Sequence, residues 1–148
     1  MPLHLIKMAV GAGSVDDIAA WQKQRRAALK LERGKPILIH KTRNYPKRDE
    51  EILAGGSMYW IVKGFVRVRQ RIVGLERTTD AEGKPRCEIV LDPKLVRVMP
   101  MTHKPMQGWR YLEDRDAPKD LTGKGGKGDA VEDMPPEMLA ELRKLGLL

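Results

Sequence analysis

The longest hydrophobic stretch of the chain runs from Met58 to Leu75, and apolar and polar residues alternate along most of it. Successive residues of a strand point to opposite faces, so this pattern predicts a long central β-strand. One face contains Val62, Gly64, Val66, Val68, Gln70 and Ile72, and the other contains Lys63, Phe65, Arg67, Arg69 and Arg71. The first face is suited to a core, and the second carries cations around one aromatic ring. Gly64 predicts a bulge or a close backbone approach and Gly74 a bend, and the stretch is long enough for two strands.

Shorter patterns on both sides of this stretch predict the other elements. Before it, they predict a strand at Leu3–Val10, a helix at Val15–Arg33 between an N-cap at Ser14 and a stop at Gly34, a strand at Ile37–Arg43 and a short helix at Pro46–Ala54. After it, they predict a hairpin of Ile72–Thr79 and Arg86–Leu91, a strand at Leu95–Met99, and a loop with a last strand in residues 103–112. Two early helices followed by short strands predict an α+β fold with a bent antiparallel sheet or a small β-barrel.

The composition changes after residue 112. Residues 113–134 are polar and rich in Gly and Lys, which predicts a flexible linker. Residues 135–148 begin with two prolines and place Met138, Leu139, Leu142 and Leu145 on one side of a short helix. We therefore expect an α+β domain at residues 1–112, a linker at 113–134 and a C-terminal helix at 135–148.

Length and composition indicate a folded, soluble protein. The chain has 148 residues, of which 41% are hydrophobic and 32% charged, and this suits one domain with a core. No apolar run approaches the ~20 residues of a membrane span, and the N-terminus lacks the pattern of a secretion signal, so we expect a cytoplasmic protein without membrane contact. One cysteine and three histidines argue against a structural zinc site, and no cofactor is indicated.

The net charge of +8 is concentrated in the first part of the chain. Residues 1–112 contain 22 Lys and Arg against 11 Asp and Glu, whereas residues 113–148 contain 6 against 9. A basic body with a mildly acidic tail indicates a polyanionic partner, although such charge also serves ordinary solubility.

Three clusters are candidates for a nucleic-acid site because cations neutralise phosphates and aromatic rings stack on bases. They are the cationic strand face Lys63, Phe65, Arg67, Arg69 and Arg71; the segment with His40, Lys41, Thr42, Arg43, Tyr45, Lys47 and Arg48; and the segment with Gln107, Trp109, Arg110 and Tyr111. Each has a structural alternative. The strand face can be a solvated outer face, His40 can have a packing role, and Trp109 and Tyr111 can fill one end of the sheet.

Two resemblances add to this picture. The strings YPKRDEEILAGGSMYWIVKG, VRQRIVGLE, CEIVLDPKLVRV and QGWRYL resemble an uncharacterised bacterial family of small proteins of unknown function, over roughly residues 1–118. The order of the elements is similar to the PUA-like superfamily with its ASCH and EVE branches, and Lys41-Thr42-Arg43 resembles the string that leaves an early strand beside the ligand cleft there. Where that superfamily has Gly-Asp before its barrel, this chain has Gly56-Ser57.

The PUA-like resemblance implies binding of RNA or of modified bases. Some ASCH proteins cleave RNA or hydrolyse an amide on a modified cytidine, and this implies catalytic roles for Lys41, Thr42 and one of Glu76 or Glu88. His40 is a further candidate acid or base because its ordinary pKa lies near neutrality. Three functions stay open: a module that binds RNA or a nucleotide, a small hydrolase acting on RNA or a modified nucleoside, and a protein-interaction module. The oligomeric state stays open too, a homodimer included.

Overall fold

The described residues form an α+β fold in which seven strands make one mixed, open sheet. The structure is a computed structural model, and it describes residues 2–34 and 37–121. In chain order the elements are β1 (Leu3–Met8), α1 (Val15–Arg33), β2 (Leu38–Thr42), α2 (Asp49–Leu53), β3 (Ser57–Val62), β4 (Phe65–Thr79), β5 (Pro85–Leu91), β6 (Val96–Thr102), β7 (Trp109–Glu113) and a 3-10 turn at Asp114–Asp116. Neither α-helix of this part is long and apolar enough to cross a membrane.

The sheet has the strand order β2-β5-β4-β3-β1-β7, and β6 pairs with β4 beside this path. The prediction of an antiparallel sheet is wrong in one place, because β1 and β3 run parallel. The chain leaves β1 through α1, β2 and α2 before it returns as β3, and such a crossover lets both strands point the same way. Among the described strands, β2 and β7 end the path without pairing with each other, so the sheet is open rather than closed into a barrel.

The stretch Met58–Leu75, which the sequence showed to be long enough for two strands, contains most of β3 and the first part of β4, paired as a hairpin. Lys63 and Gly64 form its turn with φ angles of 49° and 83°, so the prediction of a bulge or a close backbone approach at Gly64 is wrong. Two adjacent positive φ angles are the backbone of a two-residue hairpin turn, which glycine adopts without strain. The alternation beyond the turn is confirmed, since Val66 and Val68 are buried. The pairing of β4 with β5 shifts register just before Gly74, where a bend was predicted.

Helix α1 has the predicted ends. The Ser14 hydroxyl accepts a hydrogen bond from the Asp17 amide at 3.2 Å, and Gly34 ends the helix in the left-handed conformation. Of the predicted apolar side, Val15 and Ile18 are buried, whereas Trp21 is 46% exposed. The first turns of the helix therefore carry most of its packing against the core.

Strand β3 lies at the centre of the fold and is buried along its whole length. One of its faces, with Met58 and Trp60, joins the larger core beneath the helices. The other face, with Tyr59 and Ile61, joins a smaller core with residues of β1, β6 and β7. Burial on both faces explains why this strand is apolar without alternation.

The described fold continues past residue 112 to Leu121. Glu113 is the last residue of β7, and Asp120 bridges to Val98 of β6. The rest of the predicted linker and the predicted C-terminal helix lie outside the described residues.

Candidate functional site

A cleft of about 540 Å³ lies where β2, the β4–β5 hairpin and β7 come close together. We call it the basic-aromatic cleft. Its lining consists of Arg43, Asn44, Tyr45, Lys47, Arg77, Thr78, Pro85, Arg86, Trp109 and Tyr111. The described lining thus has four cations, three aromatic rings and no carboxylate. Two of the three sequence clusters meet here. Arg43, Tyr45 and Lys47 come from the segment with His40, and Trp109 and Tyr111 come from the segment with Gln107.

A hydrogen bond between two distant segments holds two walls of the cleft together. The indole Nε1 of Trp109 donates to the carbonyl oxygen of Asn44 at 3.0 Å. Trp109 and Tyr111 are two residues apart on β7, so both rings point to the same face, and their centroids are 5.1 Å apart at an interplanar angle of 65°. The loop after β2 is therefore fixed against the two rings of the last strand.

The hairpin supplies the third wall. The Arg77 guanidinium carbon lies 3.8 Å from the centre of the Tyr45 ring, which is a close cation–π contact. The Tyr45 hydroxyl donates to Asp49 at 2.8 Å, and this bond raises the pKa of the phenol and keeps it protonated. The hydrogen bond to Asp49 fixes the Tyr45 ring, and the ring in turn positions Arg77.

Some of the cations around the cleft are already neutralised. Arg86 pairs with Asp80 at 2.9 Å. Arg48, which lies 5.5 Å from the Tyr111 ring centre, pairs with Glu51 at 2.6 Å and with Glu113 at 3.4 Å. These ion pairs raise the pKa of Arg48 further above its ordinary value.

Three cations in the cleft keep their charge available. Within residues 2–34 and 37–121, neither Arg43 nor Lys47 has an ion pair or a side-chain hydrogen bond, and Arg77 has only its ring contact and long-range interactions. Of the three rings, Tyr111 is exposed, whereas Tyr45 and Trp109 are half-buried against the larger core. A concave surface with net positive charge and aromatic rings in its walls can bind anions that carry a flat group.

The cationic strand face does not take part in this cleft. Its central residue, Arg69, donates to both carboxylate oxygens of Asp120 at 2.7 Å and to the Ser57 hydroxyl at 3.1 Å. Arg67 has interactions of its own, and Lys63 lies in the hairpin turn. Arg71 is exposed and Phe65 half-buried, both outside the cleft.

The three catalytic candidates on β2 are distributed over two faces of the strand. His40 and Thr42 point to one face, and the exposed Lys41 points to the other, where it lies opposite Glu88. Glu88 in turn lies opposite Glu76. The Thr42 hydroxyl donates to the Asn44 carbonyl oxygen at 3.3 Å. The structure brings Lys41 near the two carboxylate positions but separates it from His40 and Thr42, and the hydrolase hypothesis stays a prediction.

Gln107 and Arg110, also candidates, are exposed and do not line the cleft. Sequence reasoning missed Arg77 and Arg86, which were treated as ordinary hairpin residues. The pairing of the hairpin contained the signal. Arg77 lies opposite Cys87, so its exposed side chain leaves β4 on the same side of the sheet as Cys87, where it meets the Tyr45 ring.

Fold and cleft together define a small α+β protein with an open mixed sheet and a basic, aromatic-lined site at one end of it. The chain belongs to the family DUF1489, described as a protein of unknown function, whose model matches residues 5–148. This membership confirms the resemblance to an uncharacterised family of small proteins. The searches of curated proteins and of solved structures gave no match.

Proposed function

We propose that this protein binds RNA or a modified nucleotide in the basic-aromatic cleft. One observation supports the proposal above the others: Arg43, Lys47 and Arg77 have no carboxylate partner within residues 2–34 and 37–121, and they lie in one hollow with three aromatic rings. The three walls come from segments far apart in the chain.

Each group has a defined role in this proposal. Arg43, Lys47 and Arg77 bind phosphate oxygens, the arginines through two parallel N–H donors. Trp109 and Tyr111 stack on bases, which favours unpaired bases over a duplex, because the bases of a helix are already stacked on one another. A volume of about 540 Å³ lies in the range of pockets that hold small ligands, about 300 to 1,000 Å³.

The proposal also includes a relationship of the fold to the PUA-like superfamily and a location of the protein in the cell. The element order strand, helix, strand, short helix, glycine turn and strands supports a PUA-like relationship, although the mixed sheet differs from the expected bent antiparallel one. Such domains bind RNA or modified bases, which agrees with the cleft. We also propose a cytoplasmic location, where RNA would be available as a partner.

Fluorescence anisotropy with a labelled single-stranded RNA of about 12 nucleotides tests the proposal. The cleft variant Arg43→Gln/Lys47→Gln is compared with the strand-face variant Lys63→Gln/Arg71→Gln, which removes the same charge from exposed positions outside the cleft. We expect the cleft variant to bind at least about tenfold more weakly and the control to stay close to the wild type, because only the former loses charge-assisted contacts.

Other results have defined meanings. Equal loss in both variants would indicate general electrostatic attraction and would refute a role for the cleft. A larger loss in the strand-face variant would move the site to β4. Absence of any complex at low salt, with RNA, single-stranded DNA and mononucleotides all tested, would reject the proposal.

A further inference from the structure

A second cavity, of about 600 Å³, lies at the other end of β2 from the basic-aromatic cleft. It is bounded by α1, by the end of β1 and by the first residues of β2. Its walls are mainly apolar and aromatic, with Ile18, Leu38 and Leu91 beside the rings of Trp21 and Trp60. We call it the tryptophan cavity. The proposed function does not use it.

Two nitrogen groups in this cavity have no partner among the described residues. The His40 Nε2 atom is buried and has no hydrogen bond. The Lys7 ammonium is partly withdrawn from water and has no ion pair or hydrogen bond within the part of the chain that the structure describes. Buried polar groups without a partner are rare in folded proteins, and a bound ligand is one of the things that satisfies them.

The surroundings of these groups favour an anion. Arg25 also lines the cavity, and its guanidinium donates to the Ile39 carbonyl oxygen at 3.2 Å, which leaves further N–H groups available. No carboxylate is among the described residues that line this cavity. Burial, together with the charges of Lys7 and Arg25, lowers the pKa of His40 to about 4, so the imidazole is neutral at pH 7.

The rings set the shape of the ligand. The His40 and Trp60 rings are in edge-to-face contact, with their centroids 5.1 Å apart and an interplanar angle of 90°. Trp21 is 46% exposed at the rim, where it offers an uncovered ring to a flat group. We infer that the tryptophan cavity binds a small aromatic carboxylate, whose ring lies among the tryptophans and whose carboxylate meets Lys7 and Arg25. A carboxylate oxygen also accepts a hydrogen bond from His40 when Nε2 carries the proton.

Isothermal titration calorimetry of the full chain with 2-naphthoate tests the inference, and the uncharged 2-naphthamide serves as matched ligand. Lys7→Gln removes the charge in the cavity, and Lys23→Gln removes one from an exposed position on α1 that does not line it. We expect saturable binding of 2-naphthoate that weakens about tenfold with Lys7→Gln or with the amide, and that is unchanged with Lys23→Gln. The chemical shifts of the His40 ring nitrogens in the wild type should move on titration, and this measurement needs no variant.

The outcomes separate this inference from the proposed function. Arg43→Gln/Lys47→Gln should leave 2-naphthoate binding unchanged, and Lys7→Gln should leave RNA binding unchanged. Equal binding of acid and amide would refute recognition of the charge. No saturable heat and no shift of the His40 nitrogens at millimolar ligand would overturn the site as a whole.

Discussion

The number of available cations in the basic-aromatic cleft predicts how strongly salt weakens RNA binding. Binding to single-stranded nucleic acid falls with a slope of about −0.7 in log K against log salt for each phosphate contact. Arg43, Lys47 and Arg77 give three contacts, hence a slope of about −2 and a loss of about 20-fold between about 50 and 200 mM salt. The variant Arg43→Gln/Lys47→Gln keeps one contact, so its slope should be about −0.7 and its loss about threefold.

The assay is a set of anisotropy titrations at four or more salt concentrations with the same labelled RNA. Arg48 and Arg86 are left out of the count because their carboxylate partners already neutralise them. Lys63→Gln/Arg71→Gln carries the same change in net charge and should keep the wild-type slope, because both positions lie outside the cleft.

Two results would refute this reasoning. A wild-type slope of about −4 or steeper would mean that cations outside the cleft contact phosphates as well. A slope that stays at the wild-type value in the cleft variant would mean that Arg43 and Lys47 do not contact phosphates at all.

Three further predictions concern the fold. Gly56→Ala should lower the free energy of unfolding by about 3 kcal/mol in denaturant titrations, since the new Cβ would overlap the backbone oxygen of Leu3 in β1 and lie 2.6 Å from that of Ile52 in α2. Gly13→Ala should change it little, because flexible side-chain ends lie nearest there. The pKa of His40 is about 4 in the folded protein and 6.5 in the unfolded chain, so its contribution to the free energy of unfolding should be fully present above pH 6.5. This contribution should fall by about 3 kcal/mol as the pH is lowered towards 4. His40→Leu should flatten this pH profile, and an unchanged profile would contradict the prediction. Asp120→Asn should cost about 1 kcal/mol and lower Tm, because the two-bond contact with the half-buried Arg69 is weakened; an equal Tm would show that the contact adds no stability.

The fold was predictable where local chemistry decides it. The Ser14 cap and the Gly34 stop fixed α1 from the sequence, and the loop at residues 80–83 fixed the β4–β5 hairpin. The break at Lys63 was missed because the residues on both sides of the turn continue the same apolar run. A lysine at positive φ gives little signal, and only the glycine after it indicates the turn.

The site was predictable in part for the same reason. Arg43, Lys47, Trp109 and Tyr111 form compact sequence clusters, so their chemistry was visible before their position was. Arg69 shows the limit of such reasoning. The face of β4 on which Arg69 lies was predicted correctly. Its partner Asp120 lies 51 residues away, and no local pattern indicates that the charge of Arg69 is already paired.

The hydrogen bond from Trp109 to Asn44 has a consequence for the order in which the protein matures. It closes a loop of 65 residues, and β7 pairs with β1, the first strand described. Contacts of such long range form late, since much of the chain must be ordered first. A chain still emerging from the ribosome therefore has Arg43, Tyr45 and Lys47 before Trp109 and Tyr111, so the basic-aromatic cleft is complete only after β7 has been synthesised.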